Sequence, residues 1–135
     1  IRRRFGAIIV KNDVIVSTGY AGAPRGRKNC SDLGFCMREH LKIPRGERYE
    51  LCRSVHAEQN AICQAARYGI NVSDATIYIT LSPCLTCAKL IINAGIREVV
   101  YGGDYTAFLE PVKELFRSAG VTCRPFGRSA RGAAF

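Results

Sequence analysis

The chain has 135 residues, 47% of them hydrophobic, with seven cysteines and a formal net charge of +9. That length suits one domain with its own core, and no run approaches the roughly 18 apolar residues of a membrane span. No signal-peptide pattern opens the chain, and Ile1 in place of methionine is expected of a trimmed or processed start. An odd cysteine count with a Cys-x-x-Cys spacing points to reduced thiols and metal, hence a cytoplasmic protein, and away from a disulfide framework. The positive excess is spread over Arg2-Arg3-Arg4, Arg25-Gly26-Arg27-Lys28, Arg45 to Arg53 and Arg124 to Arg131. It implies either an anionic partner, such as a nucleotide phosphate or nucleic acid, or a solvated basic surface.

Phe5 to Val10 is a continuous apolar run and Val14 to Gly19 is rich in β-branched residues. Asn12-Asp13 between them supplies turn chemistry, so a β-hairpin is expected. Tyr20-Ala21-Gly22-Ala23-Pro24-Arg25-Gly26 is a loop by its glycine and proline content. Residues 27 to 53 read as a long basic insertion holding Cys30, Cys36 and Cys52, a short helix around Phe35 to Leu41, and a Pro44-Arg45-Gly46 turn. Insertions of this length in a compact domain are usually functional or mobile. Ser54 is placed to cap a helix from Val55 to Tyr68, with Ala57, Ala61, Ile62, Ala65 and Ala66 as a small-residue face and Gly69 as its stop. A strand over Ala75 to Leu81, a helix from Cys84 to Ala94 begun by Pro83 and stopped by Gly95, and a strand from Arg97 to Tyr101 follow. After the loop Gly102-Gly103-Asp104-Tyr105 come a helix from Glu110 to Ala119 and a strand from Val121 to Phe126, then a loose tail. Cys63 and Cys123 read as core residues. The order β-β-α-β-α-β-α-β implies a hairpin followed by right-handed crossovers: a mixed five-stranded sheet with helices on both faces, an α/β/α sandwich.

Two stretches carry chemistry. His56-Ala57-Glu58 and Pro83-Cys84-Leu85-Thr86-Cys87 both open helices, where backbone N–H groups favour thiolates and anions. Cys84 and Cys87 can grip one metal as thiolates, with His56 as a third ligand. Three protein ligands leave a tetrahedral position open, which distinguishes a catalytic zinc from a closed structural one. Such a zinc makes a nucleophile of water near neutral pH. Glu58 is not needed as a ligand and is free to carry protons. Taken alone, Cys-x-x-Cys also suits a redox pair or half of a structural zinc site, and His-x-Glu alone has no meaning. Their conjunction is the signature of zinc-dependent nucleobase deaminases.

On these residues the chain resembles the cytidine/deoxycytidylate deaminase superfamily, and within it the deoxycytidylate (dCMP) deaminases and related late-competence proteins. The likeness runs from about Arg4 to Phe126 and is strongest at Cys52 to Ala61 and Pro83 to Cys87. Phe5 to Val10, Gly19 to Gly26 and Ile91 to Ile96 support it, and the Gly-Tyr-x-Gly-x-Pro loop points to the dCMP branch. The resemblance implies Zn2+ held by His56, Cys84 and Cys87, with Glu58 as the acid and base of hydrolytic attack at C4 of cytosine. It implies a base pocket lined by the backbone around Ala57 and Pro83, and contacts to a nucleotide from Gly22, Arg25, Arg27 and Lys28. Arginine forks suit a phosphate dianion, while the other reading of this loop is a basic segment facing solvent. Tyr105 falls near where relatives place residues at the active-site mouth. Some relatives bind a second, structural zinc, for which Cys30, Cys36 and Cys52 are candidates and His40 a possible fourth; otherwise these are free cysteines. Relatives are commonly oligomeric, so the resemblance implies a homo-oligomer, a dimer or hexamer, with dCTP and dTTP as candidate effectors.

Three features depart from the family pattern. Ala21 stands where the loop usually has asparagine. The amphipathic helix that usually precedes the first strand is missing, so part of one sheet face is expected to be bare or covered by another chain. The Cys30-to-Cys52 insertion is longer than in the simplest members. The leading expectation is conversion of dCMP to dUMP and ammonia by a single domain over residues 1–126, followed by a loose tail at 127–135. The alternatives are a polynucleotide deaminase, acting on tRNA adenosine or DNA cytosine, and a zinc-stabilised module without catalysis. A polynucleotide editor would need an aromatic and basic channel, which is not evident, and a structural zinc has no need of Glu58.

Overall fold

The computed structural model describes residues 5–44, 54–102 and 110–127. β1 (Gly6–Lys11) and β2 (Val14–Tyr20) form the expected hairpin. Asn12 and Asp13 take φ of 54° and 65°, the left-handed pair that a tight two-residue turn requires and that these side chains tolerate. The pairing shifts between Ile9 and Val10, which makes Val16 an extra residue on β2. Two short helices follow, α1 (Cys30–Leu33) and α2 (Met37–His40); only the second was legible as a helix.

The rest alternates: α3 (Ala57–Arg67), β3 (Thr76–Ile79), α4 (Leu85–Asn93), β4 (Glu98–Tyr101), α5 (Glu110–Ser118), β5 (Thr122–Pro125). The sheet order is β2-β1-β3-β4-β5. β1 is antiparallel to β2 and β3, and β3, β4 and β5 run parallel, so the five-stranded sheet is mixed as expected. Every crossover, β2 to β3, β3 to β4 and β4 to β5, steps toward the same edge. Right-handed connections that never reverse direction stay on one side of the sheet, so among the described residues α3, α4 and α5 share a single core on one face, where helices on both faces were expected.

That core follows the strand alternation. Ile9, Ile77 and Val99 are cross-strand partners in one row, each with no accessible surface. Onto this row α3 lays Ala57, Ala61 and Ala65, α4 lays Ala88 and Ile91, and α5 lays Val112 and Phe116. Spacings of three and four residues make one helical stripe. The alanines let α3 lie close to the sheet. Ala66 falls outside the stripe and is exposed. Cys63, expected in the core, is exposed as well, because it sits two positions from Ala61 and Ala65, away from the buried stripe. Cys123 is half-buried against the core.

The sheet face turned from these helices carries Ile8, Thr18, Tyr78 and Val100 in register, with the Phe126 ring meeting Tyr78 edge-on at 6.4 Å. These residues help line an open concavity of about 600 Å³. No described helix is long and apolar enough to cross a membrane.

Candidate metal centre and its surroundings

Both motifs stand at helix starts, the first helix beginning two residues later than expected. Val55 is held extended by a two-way backbone bridge with Gly22. The helix therefore begins two residues later than Ser54 would cap it, and His56 is the N-cap, with φ −66° and ψ 152°. The His56 N–H donates to Gln59 Oε1 at 3.0 Å, half of a capping box. Cys84 holds the same position on α4, its Sγ accepting from the Cys87 N–H at 3.5 Å. Pro83, buried, precedes it.

Across the junction of α3 and α4, His56 Nδ1 lies 3.1 Å from Cys87 Sγ and 3.6 Å from Cys84 Sγ. The three donor atoms all fall within 4.8 Å of one another, and among the described residues they are the group able to share an ion. Tetrahedral zinc, with bonds of about 2.0–2.1 Å to nitrogen and 2.3 Å to sulfur, spaces its ligand atoms roughly 3.5 Å apart. The donor set fits. Glu58 is outside this group, but its carboxyl and the Cys87 thiol shift each other's protonation, which puts an acid in reach of the donors.

The groups set one another's charge. The Cys84 thiol is pulled down to about 4, chiefly by the hydrogen bond from Cys87 and then by the His56 ring and the Cys87 N–H, against the cost of burial. Cys87 is pushed up because it holds the proton that Cys84 accepts, and burial adds to this. His56 is raised by its hydrogen bond to Cys84. Glu58 is raised by burial, partly offset by its own backbone N–H and by His56. A thiolate at a helix N-terminus is a ligand ready for a metal.

Gly22, buried, comes up to the site through its bridge to Val55, the residue before His56. Beyond it Asn29 Oδ1 accepts from the Ala23 N–H at 2.8 Å, and Arg27 N–H donates to Pro24 O at 3.0 Å, folding the loop. Arg25, Arg27 and Lys28 lie exposed on that loop. Ala57 turns its side chain into the core. Cys36 precedes α2, half-buried, and His40 stands exposed at the end of α2 against the Phe35 ring. Cys52 and Tyr105 lie outside the described residues, as does the tail from 128.

Three contacts between α3 and β2 went unread in the sequence. A Cβ on Gly19 would stand 2.4 Å from Ala57 O and 2.5 Å from Ala61 N, so β2 and the helix backbone touch there without a side chain between them. Ser17 Oγ, buried, donates to Ala61 O at 2.6 Å. Asn60 Nδ2 donates to Tyr20 O at 2.7 Å. The available signal was a glycine and a small hydroxyl alternating on the strand that precedes the His-x-Glu helix.

The fold and donor set together define an open metal site on a mixed α/β sheet. Residues 1–103 match the family model of the cytidine and deoxycytidylate deaminase zinc-binding region. The chain is 36% identical over 126 residues to the deoxycytidylate deaminase of Schizosaccharomyces pombe, covering 93% of this chain and 38% of that one. It is 38% identical over 121 residues to ComE operon protein 2 of Bacillus subtilis, covering 90% of this chain and 59% of that protein. The crystal structure of the dCMP deaminase from cyanophage S-TIM5, in complex with dCMP and dUMP, superposes with a TM-score of 0.72 at 28% identity, covering 93% of this chain and 83% of that one. The chain belongs to the cytidine and deoxycytidylate deaminase family. It spans between 38% and 59% of the length of these two curated relatives.

Proposed function

We propose that this chain is a zinc-dependent hydrolase that converts dCMP and water to dUMP and ammonia. The observation that carries this reading is the meeting of His56, Cys84 and Cys87 within ligand distance, with Glu58 two residues beyond His56 in the first turn of α3. Family membership supports it, as do the dCMP deaminases among its relatives.

Zn2+ held by His56 Nδ1 and the two Sγ atoms supplies an electrophilic centre that activates water near neutral pH. Glu58 takes the proton from the attacking water and gives it to N3 of the base, which lets C4 become tetrahedral. It then takes the remaining proton from the C4 hydroxyl and gives it to the amine, so that the C4–N bond breaks, ammonia departs and the C4 carbonyl of uracil forms. Burial raises the Glu58 pKa, bringing proton gain and loss nearer to neutral pH, where a general acid and base works best. The backbone about Ala57 and Pro83 lines the base, and Gly22, Arg25, Arg27 and Lys28 take the sugar and phosphate, with Tyr105 at the mouth. In this reading residues 1–126 form one deaminase domain with a tail at 127–135. The enzyme is a cytoplasmic homo-oligomer, a dimer or hexamer, answering to dCTP or dTTP. Cys30, Cys36 and Cys52, with His40, hold a second, structural zinc.

The test follows ammonia release by zinc-loaded protein from dCMP, dCTP, deoxycytidine and a cytosine-containing oligonucleotide. Preferential turnover of dCMP is expected. Turnover of the oligonucleotide alone would move the assignment to a polynucleotide deaminase, and silence on all four with zinc bound would overturn the reading.

A further inference from the structure

Asn60 lies one turn into α3, four residues after His56. Its Nδ2 donates to Tyr20 O at 2.7 Å and reaches Val55 O at 3.5 Å. Tyr20 is the last residue of β2, where the Gly22–Lys28 loop departs, and Val55 is the last residue before the His56 donor. The same two ends are joined by backbone: Gly22 N–H donates to Val55 O at 3.2 Å and Val55 N–H to Gly22 O at 2.7 Å.

The helix itself does not depend on Asn60 for its seat. The backbone contact at Gly19, the buried Ser17 bond to Ala61 O and the Gln59 cap already fix its first turns. What Asn60 adds is a fixed direction for the Tyr20 carbonyl and thus for the chain leaving β2. Aspartate has the shape but no donor, and alanine has neither.

We infer that Asn60 is a positioning residue that holds the Gly22–Lys28 loop in place relative to the metal donors, and so governs affinity for the anionic part of the substrate. The last clause rests on the nucleotide reading above; the placement of the loop does not.

Asn60→Asp and Asn60→Ala test it, the second with a residue that favours the helix. Amide hydrogen exchange at Gly22 and Val55 is expected to accelerate about tenfold in both variants, as loss of a hydrogen bond to local structure allows. Exchange at Ile9, Ile77 and Ala65 should stay unchanged. Co2+ titrated into the variants should give the same thiolate charge-transfer band as in the parent, with affinity within about twofold, because the donors keep their places. The KM for dCMP should rise about tenfold with kcat within about twofold, the pattern of lost uniform binding. For deoxycytidine, which lacks the phosphate, kcat/KM should hardly move. Unchanged exchange at Gly22 and Val55 would overturn the inference, as would Co2+ affinity falling in step with it, since Asn60 would then be supporting the donors. A fall in kcat at constant KM would overturn the substrate clause. If the parent protein turned over none of these nucleotides, the functional reading would fail while exchange and Co2+ binding still decided the loop's placement.

Discussion

Cys87 is the residue on which the site converges. It has no accessible surface and lies against both His56 and Cys84. Cys87→Ala removes one of the three donor atoms that meet at the site. Because even supporting residues around a metal cost about 10- to 100-fold in affinity, losing this ligand should weaken zinc binding by more than about 100-fold, read by competition with a chromophoric chelator. Cys63→Ser, on the exposed side of α3, is the matching control and should change stability by less than about 0.5 kcal/mol. Equal effects of the two substitutions would mean that Cys87 is not a ligand.

At the scale of elements, the position of α3 depends on an absence. Gly19 presents no side chain to Ala57 O and Ala61 N, and these are backbone atoms that cannot rotate aside. Gly19→Ala should force the helix off β2 at a cost of about 1–3 kcal/mol, seen as a lower urea midpoint, and zinc affinity should fall with it because His56 moves too. Gly6→Ala meets nothing nearer than Gly19 O at 3.8 Å and should be nearly neutral. This contrast also marks what was legible in the sequence. His56, Glu58, Cys84 and Cys87 could be read because each pair is fixed by local spacing at one helix start. The hairpin turn at Asn12-Asp13 and the glycines ending α3, α4 and α5 could be read for the same reason. The Gly19 contact spans 38 positions to Ala57, as 57 minus 19 gives, and no local pattern encodes such a meeting. Ser54 misled because the Gly22–Val55 bridge, another long-range contact, kept the chain extended past it.

For the whole molecule, the shared direction of the crossovers gathers α3, α4 and α5 on one side and brings the starts of α3 and α4 together at the donors. A metal there ties the starts of two helices together, so binding should stabilise the fold. With free zinc at about 100 times Kd, linkage gives about 2.7 kcal/mol, which for a domain of this size is a rise in Tm of roughly 10 °C. Calorimetry with and without a chelator measures it. An unchanged Tm would mean that the three donors do not share an ion in the folded protein.

The central claim is that Glu58 moves protons beside a metal held by three other residues. The most direct measurement pairs zinc stoichiometry with dCMP turnover for the parent protein and Glu58→Gln. The same zinc content is expected in both, with kcat reduced by about 10²- to 10⁴-fold, the usual worth of a positioned acid and base. Full activity in Glu58→Gln, or loss of its zinc, would contradict the account: the first by removing the proton carrier, the second by making Glu58 a ligand.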